Sequence, residues 1–336
     1  MSYPNLNSKS PKQQSIIPAF DITTMDISEL ARKKWWMLMI AAIAFSVLGY
    51  AIWRDWEIIR SFEWRFNFWN LLIYIVLHTL SLGSMFVAWH LMMTRLSGQN
   101  NLHSDFRIYS LSLLARHIPL PIWFVGSRLV LYRADKIPPR IPLTATALEH
   151  ALLAFGGVVC YLILLPWYVY TQRIPWYIPV TILGLCLTVY FIRPSLFIDL
   201  INKIQRYRDK PLLDVVITRK DLIVWGLLYL APWFLDGIGL FFAVTTFLVL
   251  PPQVVSFIGI STVSTLVSML TMLLPAGFGL KELTMGAMMS NWLPLSAGIA
   301  VSLGYRLLIT IVETFWAWFA QHNAEVLAVN HNEQMN

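Results

Sequence analysis

Residues 68–93 have the sequence FWNLLIYIVLHTLSLGSMFVAWHLMM, in which no Asp, Glu, Lys or Arg occurs. A helix rises about 1.5 Å per residue, so about 20 apolar residues cross the roughly 30 Å of hydrocarbon in a bilayer. This stretch therefore predicts a membrane-spanning helix, and stretches of the same kind recur along the chain.

The other apolar stretches with the length of a span are 35–53, 144–165, 176–197, 222–248 and 295–320. Trp and Tyr residues cluster near their ends, for example Trp53, Trp56 and Trp167, as such residues do at membrane interfaces. The sequence predicts an all-α, polytopic membrane protein with about six full spans.

The composition of the whole chain agrees with this class. Of its 336 residues, 57% are hydrophobic and 13% are charged, whereas soluble domains carry roughly 25% charged residues. These values and a mean hydropathy of +0.61 exclude a water-soluble enzyme or nucleic-acid-binding protein. Cys160 and Cys186 lie inside apolar stretches, so we expect small buried side chains rather than a disulfide or metal pair. The sequence predicts no cofactor and no metal site.

The Lys and Arg residues indicate the orientation in the membrane. The segment 198–221 contains six of them, whereas the loop 166–175 contains one. Because basic loops stay in the cytoplasm, the net charge of +7 is attributed to cytoplasmic loops. We expect polar cytoplasmic tails at 1–34 and 321–336. The basic segment is a topology signal or, alternatively, a contact for anionic lipid headgroups.

One apolar segment, 106–131, is broken by polar and helix-breaking residues. It contains Arg116, Pro119, Pro121 and Arg128. A straight helix of this sequence cannot face lipid, because free backbone groups at membrane depth must be covered by protein or water. We expect a re-entrant helix–break–helix hairpin, and the basic flanks indicate that it enters from the cytoplasmic side.

The second broken segment is 254–291. An apolar helix rich in Ser and Thr meets LPAGFGLKE at 274–282, and a short apolar stretch follows. A re-entrant hairpin that enters from the outside completes the topology, and the alternative is that 254–274 spans while 283–320 is one bent helix. Paired broken helices of opposite orientation in the two halves of a chain indicate an inverted-repeat transporter.

Several ionisable residues lie inside the predicted spans. A lone charge at the bilayer centre costs at least about 2.5–3.5 kcal/mol, so each requires a partner or a function. Asp236 and Arg306 form an ion pair with each other or contact a substrate or proton. His78 is a hydrogen-bonded core residue or a proton relay, and Glu149 lies at the interface or in the site. Glu313 shares a helix face with Arg306.

The second break contains a candidate anion site. Gly277 and Gly279 expose backbone N–H groups where a helix begins, a position that favours an anion, and Lys281 adds a cation. No strand precedes this run and no Lys-Ser/Thr pair follows it, which excludes a nucleotide-binding loop. Glu282 is expected to cap the new helix or to pair with a base of another segment, such as Arg128 or Arg306.

The residues from Pro275 to Glu282 resemble a loop of the lysylphosphatidylglycerol synthase transmembrane family, whose members are described as flippase-like. The family loop is of the type Pro-Gly-Gly-x-Gly-x-Arg-Glu, and here Ala276 replaces one glycine and Lys281 replaces the arginine. The resemblance covers roughly residues 35–320, which implies the same transmembrane fold.

The first break resembles the family's earlier motif, of the type Arg-Tyr-x-Pro-Gly followed by Trp and Gly-Arg. The matching residues run from Arg116 through Trp123 to Arg128. His117 stands in place of the tyrosine, Leu120 in place of the glycine, and Ser127 is inserted into the Gly-Arg pair. Glu149 falls where the family has a glutamate in the next span.

In full-length synthases this region precedes a soluble aminoacyl-transferase domain and is associated with moving the modified lipid between leaflets. The non-membrane segments here are too short for such a domain. The resemblance therefore implies a protein that is not an enzyme, in the cytoplasmic (inner) membrane of a bacterium or archaeon.

The expected function is transport or binding of an anionic, polyprenyl or glycosylated lipid in a groove between the two hairpins. The bases would hold the headgroup or its phosphate, and the acids would orient the bases or bind a cationic headgroup; the candidates are Arg128, Lys281, Arg306, Glu149, Asp236, Glu282, Gly277 and Gly279. One alternative is a scaffold subunit of a membrane glycosyltransferase or lipid-modifying enzyme that docks through 198–221. Another is an intramembrane headgroup transferase with Glu149 or Glu282 as its base.

Overall fold

The computed structural model describes residues 64–117, 121–172, 217–270 and 277–335, together with positions 46, 49, 50, 53, 54 and 56–61. Several predicted segments lie wholly or mostly outside these residues, namely the tail 1–34, the spans 35–53 and 176–197, the basic segment 198–221 and Cys186.

The described residues form helices and connecting turns, and no strand occurs among them. In chain order the helices are α1 (Trp56–Ser61), α2 (Phe68–Ser97), α3 (Leu102–Ala115), α4 (Pro121–Ala134), α5 (Arg140–Gln172), α6 (Arg219–Thr245), α7 (Val254–Leu270), α8 (Gly277–Met288) and α9 (Leu295–Met335). Side-chain caps fix where the two main helices begin. Asn67 accepts the Trp69 N–H at 3.0 Å before α2, and Thr218 forms a capping box with Asp221 at α6.

Four of the described helices are long and apolar enough to cross a membrane: Phe68–Ser97, Arg140–Leu164, Arg219–Thr245 and Leu295–Asn323. They coincide with four of the predicted spans. The helices extend beyond the predicted limits, since α5 begins at Arg140 and α9 continues to Met335. Most of the predicted tail 321–336 is therefore helical.

The helices α2 and α6 form an antiparallel pair along their whole length. At one end, Asn70 Nδ2 donates to the Thr245 carbonyl at 3.1 Å. At the other end, Arg95 Nε lies 3.4 Å from Asp221 Oδ2. These two contacts fix the register of the pair, so that mid-helix residues of α2 face mid-helix residues of α6.

Helices α3 and α4 form the helix–break–helix unit predicted for 106–131. Tyr132 donates to Asp105 Oδ1 at 2.7 Å near the base of the unit. Arg128 Nε donates to Ser112 Oγ at 3.0 Å nearer the break. The two contacts show that the arms lie side by side and antiparallel.

Helices α7 and α8 form a second pair of adjacent arms. The rings of Phe257, at the start of α7, and Trp292, beyond the end of α8, stack with centroids 5.6 Å apart. Because α8 ends at Met288 and α9 begins at Leu295, residues 283–320 are two helices separated by a turn. The alternative of one bent helix over 283–320 is therefore wrong.

Large apolar side chains cover the outer face of α9. Leu307, Ile311, Phe315 and Trp318 are each at least 59% exposed, and their spacing places them on one stripe of the helix. By contrast, the charged Glu313 and Arg128 are fully buried. Apolar residues outside and charged residues inside are the distribution expected of a multi-pass membrane protein.

Candidate functional site

The tips of the two hairpins meet beside the middle of α9. Arg306 Nη1 donates to Glu282 Oε1 of α8 at 2.6 Å. Glu313 accepts from His117 Nε2 at 2.8 Å and forms an ion pair with Arg116, both at the end of α3. Arg306 and Glu313 are seven residues apart, which is about 10 Å along a helix.

The two hairpins approach this point from opposite ends of α9. Near the base of the first hairpin, Arg107 Nε donates to Gln321 Oε1 at 3.0 Å. Near the base of the second, α8 and α9 approach each other so closely that a Cβ added to Gly298 would lie 2.8 Å from the Gly286 Cα. The hairpins therefore point towards each other, and the end of α3 and the first half of α8 both contact the central part of α9.

Glu282 holds the tip of the second hairpin together. Its Oε2 accepts the Gly279 N–H at 3.1 Å, and its Oε1 binds Arg306. Gly279 has φ of +94°, which glycine tolerates far better than other residues. Of the alternatives expected for Glu282, the contact with the start of the helix and the pairing with Arg306 both occur, whereas Arg128 binds Glu149 instead. Because Glu282 takes the Gly279 N–H, that group is not open to a ligand.

Lys281 belongs to the charged cluster that Arg116, Glu282, Arg306 and Glu313 form beside the middle of α9. No acid among the described residues binds Lys281 directly. It is half-buried, and within the described part of the chain it makes no hydrogen bond or ion pair. It interacts at longer range with both bases and acids of the cluster, namely Glu282, Arg116, Asp236 and Arg306. Gly277 opens α8 four residues before it.

Asp236 belongs to the same cluster but is held by α2. Its two carboxylate oxygens bind His78 Nδ1 and Ser81 Oγ, each at 2.9 Å. The hydroxyl of Tyr305 donates to the Asp236 carbonyl at 3.4 Å. The expected Asp236–Arg306 ion pair is wrong, because Arg306 is turned towards α8 and Asp236 towards α2.

Arg128 and Glu149 form a separate buried site. Arg128 donates to both carboxylate oxygens of Glu149, with Nη2 3.4 Å from Oε1. Its guanidinium lies 3.8 Å from the Trp89 ring centroid and 4.2 Å from that of Phe124. Aromatic faces stabilise a buried cation at this distance.

One expectation for this pair is therefore corrected. Glu149 is 2% exposed and enclosed by protein, and its location at the membrane interface stays a prediction. Arg128 is 0% exposed and does not line a solvated groove with Lys281. A guanidinium that is already paired and enclosed by aromatic rings has no free face for a headgroup.

Sequence reasoning missed three residues of the cluster: Arg116, His117 and Glu313. A signal was present, because Arg116 and His117 lie within three residues of Pro119 in the first break, and Glu313 shares a helix face with Arg306. The sequence of one segment does not show which other segment packs against it. The sequence therefore did not predict that these three residues lie together.

The cluster offers cations and carboxylates for an anionic or zwitterionic group. Among the described residues, no group of three or more His, Cys, Asp or Glu is arranged to hold a metal ion. No model of a known protein family matches the chain, and no curated protein is significantly similar to it.

Proposed function

We propose that the protein is a flippase-like transporter that binds the anionic headgroup of a lipid where the two hairpin tips meet. In this proposal the hairpins are re-entrant from opposite sides of a bacterial or archaeal cytoplasmic membrane, and both termini are cytoplasmic. The proposal keeps the resemblance to the lysylphosphatidylglycerol synthase transmembrane family, with an inverted repeat. The observation that carries it is the meeting of two opposed hairpin tips at mid-helix charges.

The depth of the cluster supports a ligand that travels through the membrane. Asp236 lies near the middle of α6, and Arg306 lies near the middle of the apolar part of α9. Placing a charged residue at this depth of a membrane costs free energy, and such residues mark substrate or ion pathways. Broken helices whose ends meet at the midplane form the binding sites of many transporters.

The charges of the cluster support an anionic headgroup. Glu282 and Glu313 are already neutralised by Arg306 and Arg116, which leaves Lys281 without a direct partner among the described residues. A phosphate accepts several charge-assisted hydrogen bonds and suits such a set of bases. We therefore assign Lys281 as the main headgroup contact. Arg306 and Arg116 lie beside it with side chains 30% and 35% exposed, so they keep a free face, whereas the enclosed Arg128 and Glu149 are removed from the site.

An apolar cavity supports a lipid as the ligand. It has a volume of about 110 Å³ and lies between α6 and α9, lined by apolar side chains that include Phe247 and Leu308. Tyr305 also lines it, and the Tyr305 hydroxyl reaches the backbone of Asp236. An acyl chain would bury its methylene groups in such a cavity.

Mass spectrometry of lipids bound to the purified full chain tests this proposal. We expect a phosphate-bearing lipid in the unaltered protein and about tenfold less of it in Lys281→Ala, on the scale of one charge-assisted hydrogen bond. Lys220→Ala is the matched control, because Lys220 is exposed at the start of α6. Equal lipid in both variants, or a stoichiometric protein partner without lipid, would reject the headgroup site and support the scaffold function.

A further inference from the structure

His78 lies between two carboxylates inside the helix bundle. Its Nδ1 is 2.9 Å from Asp236 Oδ1, and its Nε2 is 3.9 Å from Glu313 Oε1. The side chain is buried, and Nε2 has no hydrogen-bond partner among the described residues. The ring is stacked on Tyr74 with centroids 5.8 Å apart. One nitrogen of His78 is therefore satisfied, while the other faces an acid at more than hydrogen-bond distance.

Glu313 is shared between His78 and the first hairpin tip. It is fully buried and holds both Arg116 and His117. A positive charge on His78 would attract the Glu313 carboxylate and compete with its attraction to Arg116.

We propose that His78 is the binding site of a proton that is co-transported with the lipid headgroup. An aqueous proton binds the lone pair of Nε2, and no other bond is broken. The resulting imidazolium donates to Asp236 through Nδ1 and to Glu313 through Nε2. Glu313 then holds Arg116 less tightly, and Arg116 turns to the anionic headgroup. This proposal rests on the proposed function and adds its coupled ion.

The surroundings of His78 fix the sign of the coupling. The titratable and charged groups that face it are Tyr74 of α2 itself, Asp236 of α6, Glu313 and Tyr305 of α9, and, beyond Glu313, Arg116 and His117 of α3. In α5, Glu149 is occupied by Arg128. The two groups in direct reach of Nδ1 and Nε2 are both acids, Asp236 and Glu313. Each proton frees a base for an anion, so proton and anion bind cooperatively, and the effect is reciprocal.

The consequence is a transporter driven by a proton gradient. Histidine is the side chain that ordinarily changes its charge between about pH 5 and 8. The headgroup binds more tightly on the acidic side of the membrane, where His78 is protonated, and is released with the proton on the other side. The direction of lipid movement then follows the direction of the proton gradient.

Calorimetric titration of the detergent-purified full chain with short-chain phosphatidylglycerol tests this inference. The measurement is made in two buffers of different ionisation enthalpy, which gives the number of protons taken up per lipid bound. We expect net proton uptake, and an affinity at least about fivefold higher at about pH 5.5 than at about pH 8. His78→Gln should bind the lipid at both pH values only with the weaker affinity that the unaltered protein shows at about pH 8, and with no proton uptake. His103→Gln is the matched control, because His103 is exposed, and it should behave as the unaltered protein.

The outcomes separate the two proposals. Lipid binding by the unaltered protein without proton uptake would overturn the coupling and leave the proposed function standing. Proton uptake that persists in His78→Gln would also overturn it, and would point to His117. No binding of phosphatidylglycerol at either pH would overturn the proposed headgroup site itself. Since the buffer comparison on the unaltered protein needs no variant, the test holds even if His78→Gln folds poorly.

Discussion

Arg306 and Glu313 lie on nearly one face of α9, yet each holds the tip of a different hairpin. Arg306 binds Glu282 of the second hairpin, and Glu313 binds Arg116 and His117 of the first. One helix therefore carries an anchor for each of the two hairpins.

The Glu282–Arg306 ion pair should stabilise the second hairpin. Glu282→Gln is expected to lower stability by about 1–3 kcal/mol, less than for a fully buried pair, because the Arg306 side chain is 30% exposed. The measurement is the thermal unfolding midpoint of the detergent-purified protein. The double variant with Arg306→Gln should regain part of the loss, since no uncompensated charge then remains. Strictly additive losses would contradict a direct pairing.

The Arg128–Glu149 pair should be essential for folding. Arg128→Ala leaves the Glu149 carboxylate buried without a partner, which costs about 3–5 kcal/mol. We expect strongly reduced yield and a lower unfolding midpoint. The combined replacement of Arg128→Met and Glu149→Gln removes both charges at similar volume and should recover folding. Normal yield of Arg128→Ala alone would show that Arg128 is not enclosed as described.

Close packing of α8 on α9 should depend on Gly298. In Gly298→Ala the new Cβ would lie 2.8 Å from the Gly286 Cα, a backbone atom that cannot turn aside, so we expect a loss of about 1–3 kcal/mol. Gly304→Ala is the matched control on the same helix, because nothing lies within 4 Å of its added Cβ. The control should be neutral or stabilising, since alanine favours helix over glycine. Equal unfolding midpoints for the two variants would contradict the close approach.

The described spans could be predicted because hydropathy is a local property. The length of an apolar stretch such as 68–93 can be counted directly in the sequence. The proline and glycine residues near 121 and 277 likewise mark where a helix is interrupted. The pairing of Glu282 with Arg306 could also be expected, because an acid inside a membrane needs a basic partner and few basic residues lie inside the predicted spans.

The partner of Asp236 could not be predicted in the same way. It depends on how α2, α6 and α9 are rotated about their axes. These helices are apolar on nearly all faces, so their sequence periodicity gives little information about which face is buried. The same reason explains Glu149, whose pairing with Arg128 of α4 depends on how α4 and α5 are rotated.

The opposed hairpins make a prediction about sidedness. In a variant without Cys160 and Cys186, single cysteines at Gln253 and Asn291 should react with a membrane-impermeant thiol reagent from outside the cell. Both positions lie at the base of the second hairpin, where Phe257 and Trp292 close the two arms, and Asn291 is exposed.

A cysteine at Gln99 is the control. It lies at the end of α2 beside the first hairpin and should react only after the cells are opened, because the basic loops on that side are expected to be cytoplasmic. Labelling of Gln253 from one side and Asn291 from the other would show that α7 and α8 do not return to the same face, and the second hairpin would then not be re-entrant.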